Sequence, residues 1–276
     1  MAWNIKSWRR RHILKSEPIP DDSWQRVVDR LGFLRGLSLD ELLRLRECVA
    51  LFLHGKQISG AHGLVVTYEM RLLIAAQACI LILNLDLDYY GGWVEIIVYP
   101  GEFIRRYEYV DDDGVVHDLV EPASGESWLG GPVILSWEDT AAAESDAGYN
   151  VVIHEFAHKL DMLNGEANGF PPLHPGMSQR AWSDAFGAAY AKFRLEVGDA
   201  EAEEAIASDF YVPHDIGLGV GSYLDPYAAE DPAEFFAVIS EAFFERPLMV
   251  RQCFPAVYEQ LALFYRQDPA RRWSES

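Results

Sequence analysis

Within the apolar run from Val151 to Leu160 stands His154-Glu155-Phe156-Ala157-His158, a HExxH array that dictates both a local conformation and a chemistry. Residues four apart on an α-helix lie one turn above each other, so both imidazoles can reach one tetrahedral metal while Glu155 projects beside it toward a water. With 8 histidines in 276 residues, chance produces such an array on the order of 0.02 times per chain. Two histidines kept only as core polar groups would need partners for four ring nitrogens on one face. The array is therefore read as a metal site.

The flanking residues predict how that helix is anchored. At 100° per residue, His154, His158 and Asp161 share one face, and Val152, Phe156, Leu160 and Leu163 form a core stripe on the opposite one. Asn150 or Asp146 suits the N-cap, and Asn164-Gly165 supplies the backbone freedom that ends a helix. Asp161 is placed either on a His158 ring N–H or in solvent.

Composition narrows the rest. A chain of 276 residues with 50% hydrophobic and 13% aromatic content can build a sizeable core. Its net charge of -20 repels phosphate backbones and argues against direct nucleic-acid binding. The first 20 residues form a basic segment with Lys6, Arg9, Arg10, Arg11 and Lys15, suited to an acidic lipid or partner. No apolar stretch of the kind a signal peptide needs follows it. The run from Leu72 to Leu85 is too short to span a bilayer and reads as a buried helix. Cys48, Cys79 and Cys253 form neither a CxxC pair nor an even set, so a reducing cytoplasm is expected.

Three regions are expected: the basic segment 1–20, a mainly helical region 21–90, and a core 91–276. Asp21 or Asp22 suits the cap of a first helix, Ser38-Leu39-Asp40-Glu41 has capping-box spacing for a second through Leu53, and a third covers Glu69 to Leu83. A short strand is expected over His62 to Thr67. Further strands fall at Val94–Tyr99, Ile104–Val110, Val115–Val120 and Val133–Trp137, with Asp113-Gly114 as a hairpin turn. After the metal helix come a loop from Gly165 to Gly176, a helix around Ala181 to Val197, an irregular stretch from Asp209 to Tyr227, and two terminal helices. The order gives an α+β class: a small sheet, the HExxH helix and a second ligand-bearing helix. Val133–Trp137 is either an edge strand to which an extended peptide could add or an interior strand of the sheet.

Catalytic zinc keeps three protein ligands and one open position. A metzincin continuation would need Gly at 161 and His at 164, where this chain has Asp161 and Asn164. A glutamate on a later helix is the remaining common solution, which makes the core zincin-like and of gluzincin type. Asp231-Pro232-Ala233-Glu234 opens such a helix, and Glu234 is the first candidate. Glu234 could instead bond back to its own cap. Glu241, two turns on, is the rival ligand or a group behind a ligand, and Glu230 the weakest choice.

Three separated stretches carry a wider likeness. Val152-Ile153-His154-Glu155-Phe156-Ala157-His158-Lys159-Leu160-Asp161-Met162, Met70-Arg71-Leu72-Leu73-Ile74-Ala75-Ala76-Gln77-Ala78-Cys79, and Tyr227-Ala228-Ala229 with Asp231-Pro232-Ala233-Glu234 and Phe236-Ala237-Val238 resemble the Mlc titration factor A peptidases. That family is similar in its metal site to the anthrax lethal factor catalytic domain. Lys159 departs from the uncharged residue usual there in zincins but agrees with this family. The resemblance spans nearly the whole chain and implies Zn2+ held by His154, His158 and Glu234, with Glu155 and Tyr227 catalytic.

It also implies aminopeptidase activity on small substrates, and binding of a transcriptional repressor, Mlc, that governs sugar uptake. The leading expectation is a cytoplasmic zinc peptidase with Glu155 as general base. The alternative is a regulatory protein that sequesters a Mlc-like repressor with little catalysis. Glu155 favours the first, because a structural zinc site needs no base beside the metal.

Overall fold

The computed structural model describes residues 2–110, 116–142, 149–209 and 224–275. Helices α1 (Ala2–Ser16), α2 (Asp21–Arg30) and α3 (Leu39–Gly55) lead into strand β1 (Gln57–Gly60) and helix α4 (Tyr68–Leu81). Strands β2 (Glu95–Tyr99), β3 (Phe103–Val110), β4 (Val116–Ala123), β5 (Gly125–Ser127) and β6 (Val133–Ser136) follow. Then come α5 (Trp137–Ala142), α6 (Val151–Asp161), α7 (Gln179–Asp209), α8 (Pro232–Glu245), α9 (Pro247–Cys253), α10 (Pro255–Tyr265) and α11 (Pro269–Glu275).

The strands form a four-stranded sheet in the order β1-β2-β6-β5 and a separate antiparallel pair β3-β4. β1, β2 and β6 run parallel, and β5 returns antiparallel along β6. Ile96, Val98, Val133 and Leu135 alternate along their strands and are fully buried. Of the two readings of Val133–Ser136 the interior strand is the one formed; the edge on that side is the shorter β5.

The expected strand over His62 to Thr67 is not formed. His62 and Gly63 both have positive φ, +50° and +84°, and a Cβ on Gly60 would meet the Leu64 carbonyl oxygen at 1.9 Å. The chain therefore turns tightly here, and the extended residues are Gln57–Gly60 just before it. The Asp113-Gly114 turn lies outside the described residues, but Val110 and Val116 on either side pair with each other.

Capping follows the sequence closely. Ser38 and Glu41 close a capping box on α3. On α2 the cap is Pro20, which leaves Asp21 and Asp22 in the first turn, where they face the positive end of the helix dipole. Four described helices, not two, follow the irregular stretch, and each has Pro at its first position: Pro232, Pro247, Pro255 and Pro269. Helix α7 also runs further than expected, to Asp209.

Helix α6 is at the centre, packed against α4, α8 and the strands β5 and β6. Every residue from Val151 to Asp161 is buried, so the helix has no solvent face. The anticipated two-faced pattern ends early: the α-helix stops at Asp161, and Leu163, assigned to the core stripe, sits in a 3-10 turn and is 41% exposed. Phe156 anchors one side among Phe52, Tyr90 and Trp93, at ring-centroid distances of 5.8, 5.0 and 5.7 Å. On the basic helix α1, Lys6 pairs with Asp88 at 2.5 Å and Arg10 with Asp86 at 2.8 Å, so part of its charge is matched by the body of the protein.

Candidate metal centre

The site begins at the cap of α6. Asn150 accepts the Ile153 N–H at 3.0 Å and donates from its amide nitrogen to Glu245 at 2.8 Å. Its own backbone N–H donates to Glu241 at 2.6 Å. Helix α6 is therefore tied at its first turn to two carboxylates of α8.

One turn on, His154 and His158 bring their Nε2 atoms to 3.1 Å from each other. Glu234 arrives from α8, whose start is fixed by Asp231 accepting the N–H groups of Ala233 and Glu234 at 2.7 and 3.0 Å. Its side chain does not turn back to the cap. Glu234 Oε2 lies 3.0 Å from His154 Nε2 and 3.3 Å from His158 Nε2. His154, His158 and Glu234 form a group that could hold a metal ion.

Glu241 stands behind this group. Its Oε1 is 2.7 Å from His154 Nδ1. An Nδ1–H donated to that carboxylate leaves Nε2 with its lone pair toward Glu234 and His158. Glu234 Oε2 and the two Nε2 atoms converge within 3.3 Å of one another, and Glu234 Oε2 has no well-directed hydrogen bond. Such an arrangement fits a cation, and two imidazoles with one carboxylate form a donor set suited to zinc. Glu241 is not a member of the trio, and Glu230 also stays outside it.

The ionisation pattern follows from burial and these contacts. Burial pulls the His154 imidazole down, but the Glu234 and Glu241 carboxylates outweigh it and hold its pKa well above the usual value. Glu234 is pushed up by burial and brought down further by both imidazoles, ending well below the carboxylate range. Glu155 goes the other way: burial dominates the pull of His154 and His158 and raises it.

Glu155 and Tyr227 both line a cavity of about 520 Å³ shared with the three converging groups. Tyr227 lies on a 3-10 turn (Pro226–Ala229) capped by Asp225, which accepts its N–H at 2.9 Å. Its ring centroid is 6.2 Å from that of His154. Burial and the nearby Glu234 raise its pKa while Arg105 opposes them, so the phenol stays protonated and can donate.

Asp161 takes neither of its expected places. It is fully buried and accepts the N–H groups of Asn168 and Gly169, both at 2.7 Å, holding the loop after the helix. Lys159 is buried as well, donating to the carbonyls of Trp128 at 2.6 Å and Gly131 at 2.8 Å in the β5–β6 turn. Sequence reasoning missed Arg105, Gly125 and Tyr149 on the cavity wall, because they belong to separate elements and share no spacing with the HExxH array.

Comparison with known proteins gives a consistent result. Residues 5–266 match the family of the glucose-regulated metallo-peptidase M90. Mlc titration factor A of Klebsiella pneumoniae is 35% identical over 253 residues, 92% of this chain and 89% of that protein. The Serratia proteamaculans protein of the same name is 37% identical over 250 residues, 90% and 88% of the two chains. That of Salmonella typhi is 34% identical over 265 residues, 96% and 92%.

Proposed function

The chain belongs to the M90 family of glucose-regulated metallopeptidases, and on that basis we propose that it is a zinc-dependent peptidase, acting as an aminopeptidase on short peptides. The observation that carries the reading is Glu155: a carboxylate on the helix turn between two histidines that converge with Glu234, open to the same cavity. His154, His158 and Glu234 would hold the zinc. When bound, zinc acts as a Lewis acid on the scissile carbonyl and acidifies a water.

The remaining work falls to the chain. Glu155, its pKa raised by burial, takes a proton from the attacking water and returns it to the departing amine. Tyr227 donates from its phenol to the oxyanion that forms on the cleaved carbonyl. Glu126, Asp225 and Asp231 on the cavity wall favour a positively charged peptide N-terminus, which supports cleavage from that end.

Glu155→Gln is expected to keep full zinc and lose peptide turnover by about 10²- to 10⁴-fold, the range for removal of a general base. Metal analysis beside hydrolysis of short chromogenic peptides decides it, and unchanged turnover removes Glu155 from the mechanism. Glu241→Gln places an amide N–H opposite the Asn150 N–H and weakens the hold on His154. Zinc affinity should fall by roughly 10- to 100-fold in a chelator competition; an unaltered affinity would reduce Glu241 to packing.

The name of the relatives, Mlc titration factor A, supports a second reading, in which the chain binds a Mlc-like repressor and so bears on sugar uptake. Capture of such a repressor by the inactive Glu155→Gln protein would separate binding from hydrolysis.

A further inference from the structure

We infer that Gly125 on the edge strand β5 is a positioning residue for Glu155: its missing side chain is the space in which the base carboxylate stands. The inference rests on the reading of Glu155 as general base given above. A Cβ at position 125 would lie 2.3 Å from Glu155 Oε1, 2.7 Å from its Cγ and 2.8 Å from its Cδ. These separations are far inside van der Waals contact.

Backbone conformation does not demand glycine here, since Gly125 is not among the positive-φ residues. Only space does. Gly125 and Ser127 alternate along β5 and both face α6, where the Ser127 hydroxyl donates to the Glu155 carbonyl at 2.8 Å. The strand cannot retreat from the helix. It pairs with β6, with Gly125 opposite Leu135, and the turn that follows it is gripped by Lys159 through Trp128 and Gly131.

Helix α6 is packed on all sides and is equally unable to move. The soft party is the Glu155 side chain, with three rotatable bonds and a cavity beside it. A methyl group at position 125 therefore swings the carboxylate away from its working place and leaves the fold and the converging ligands alone.

The test is a double-mutant cycle on the zinc-loaded protein: Gly125→Ala, Glu155→Ala and the pair, with zinc content, turnover of short chromogenic peptides and thermal midpoint measured for each. Gly125→Ala should hold full zinc and lose turnover about 10²-fold or more, the scale of a displaced base. Its midpoint should fall slightly in the native background and not at all in the Glu155→Ala background, where the space is vacant. Normal turnover by Gly125→Ala in an active parent, or equal midpoint losses in both backgrounds, overturns the inference. If the zinc-loaded parent cleaves no peptide, the peptidase reading falls by itself, and the midpoint cycle still decides whether Gly125 makes room for Glu155.

Discussion

Glu234→Ala is expected to strip the protein of zinc under conditions where the parent remains loaded, and to end hydrolysis with it. A structural zinc site of four protein donors has an apparent binding energy of about 10–16 kcal/mol. One donor then accounts for roughly 3 kcal/mol, about two powers of ten in affinity or more. Loss of the carboxylate also leaves His154 and His158 facing each other without the anion that draws their Nε2 atoms together. Competition with a chelator should empty Glu234→Ala first, then Glu241→Gln, with the parent last. The reverse order of the two variants would exchange the roles assigned to these glutamates.

The largest loss of stability is expected from Phe236→Ala, about 3–5 kcal/mol. Phe236 is fully buried two residues beyond Glu234, with ring centroids 6.0 Å from Trp182, 6.1 Å from Phe186 and 6.2 Å from Phe264. These partners come from α7 and α10, so the cavity left behind by the α8 side chain opens between three helices that cannot all close on it. In a chain of this size the thermal midpoint should drop by roughly 10 °C. Zinc-free protein should be compared with zinc-free protein, so that binding does not add to the difference. A loss under about 1 kcal/mol would mean that this aromatic cluster repacks freely.

The parts of the site legible in the sequence were those governed by local rules. HExxH spacing is a property of one helix, Asn150 acts within its first turn, and Asp231-Pro232-Ala233-Glu234 announces the start of α8 by capping chemistry alone. Choosing Glu234 over Glu241 from spacing was harder, because both lie on one side of α8 and both reach His154. They differ in which imidazole nitrogen they meet, which depends on how α8 crosses α6. Asp161, just beyond the motif, is misplaced for a related reason. It reads as a surface or imidazole-facing charge, but the helix is surrounded, and its carboxylate is held by backbone N–H groups of the following loop.

The sheet was read correctly where β-branched residues are dense, as in Glu95–Tyr99 and Val133–Ser136, and poorly where they are not. Gly125–Ser127 has no side chain that favours extended backbone, and it is a strand only because β6 offers it a partner. That same short element forms part of the cavity wall, so the edge strand beside the converging groups is the one that the sequence does not announce.

Helix α8 brings Glu234 and Glu241 to His154 from the far end of the chain, long after the two histidines have been made. During synthesis on a ribosome, the HExxH segment emerges and can fold against its early neighbours while still lacking its acidic partner. A centre built this way cannot gather its three converging groups until α8 has docked.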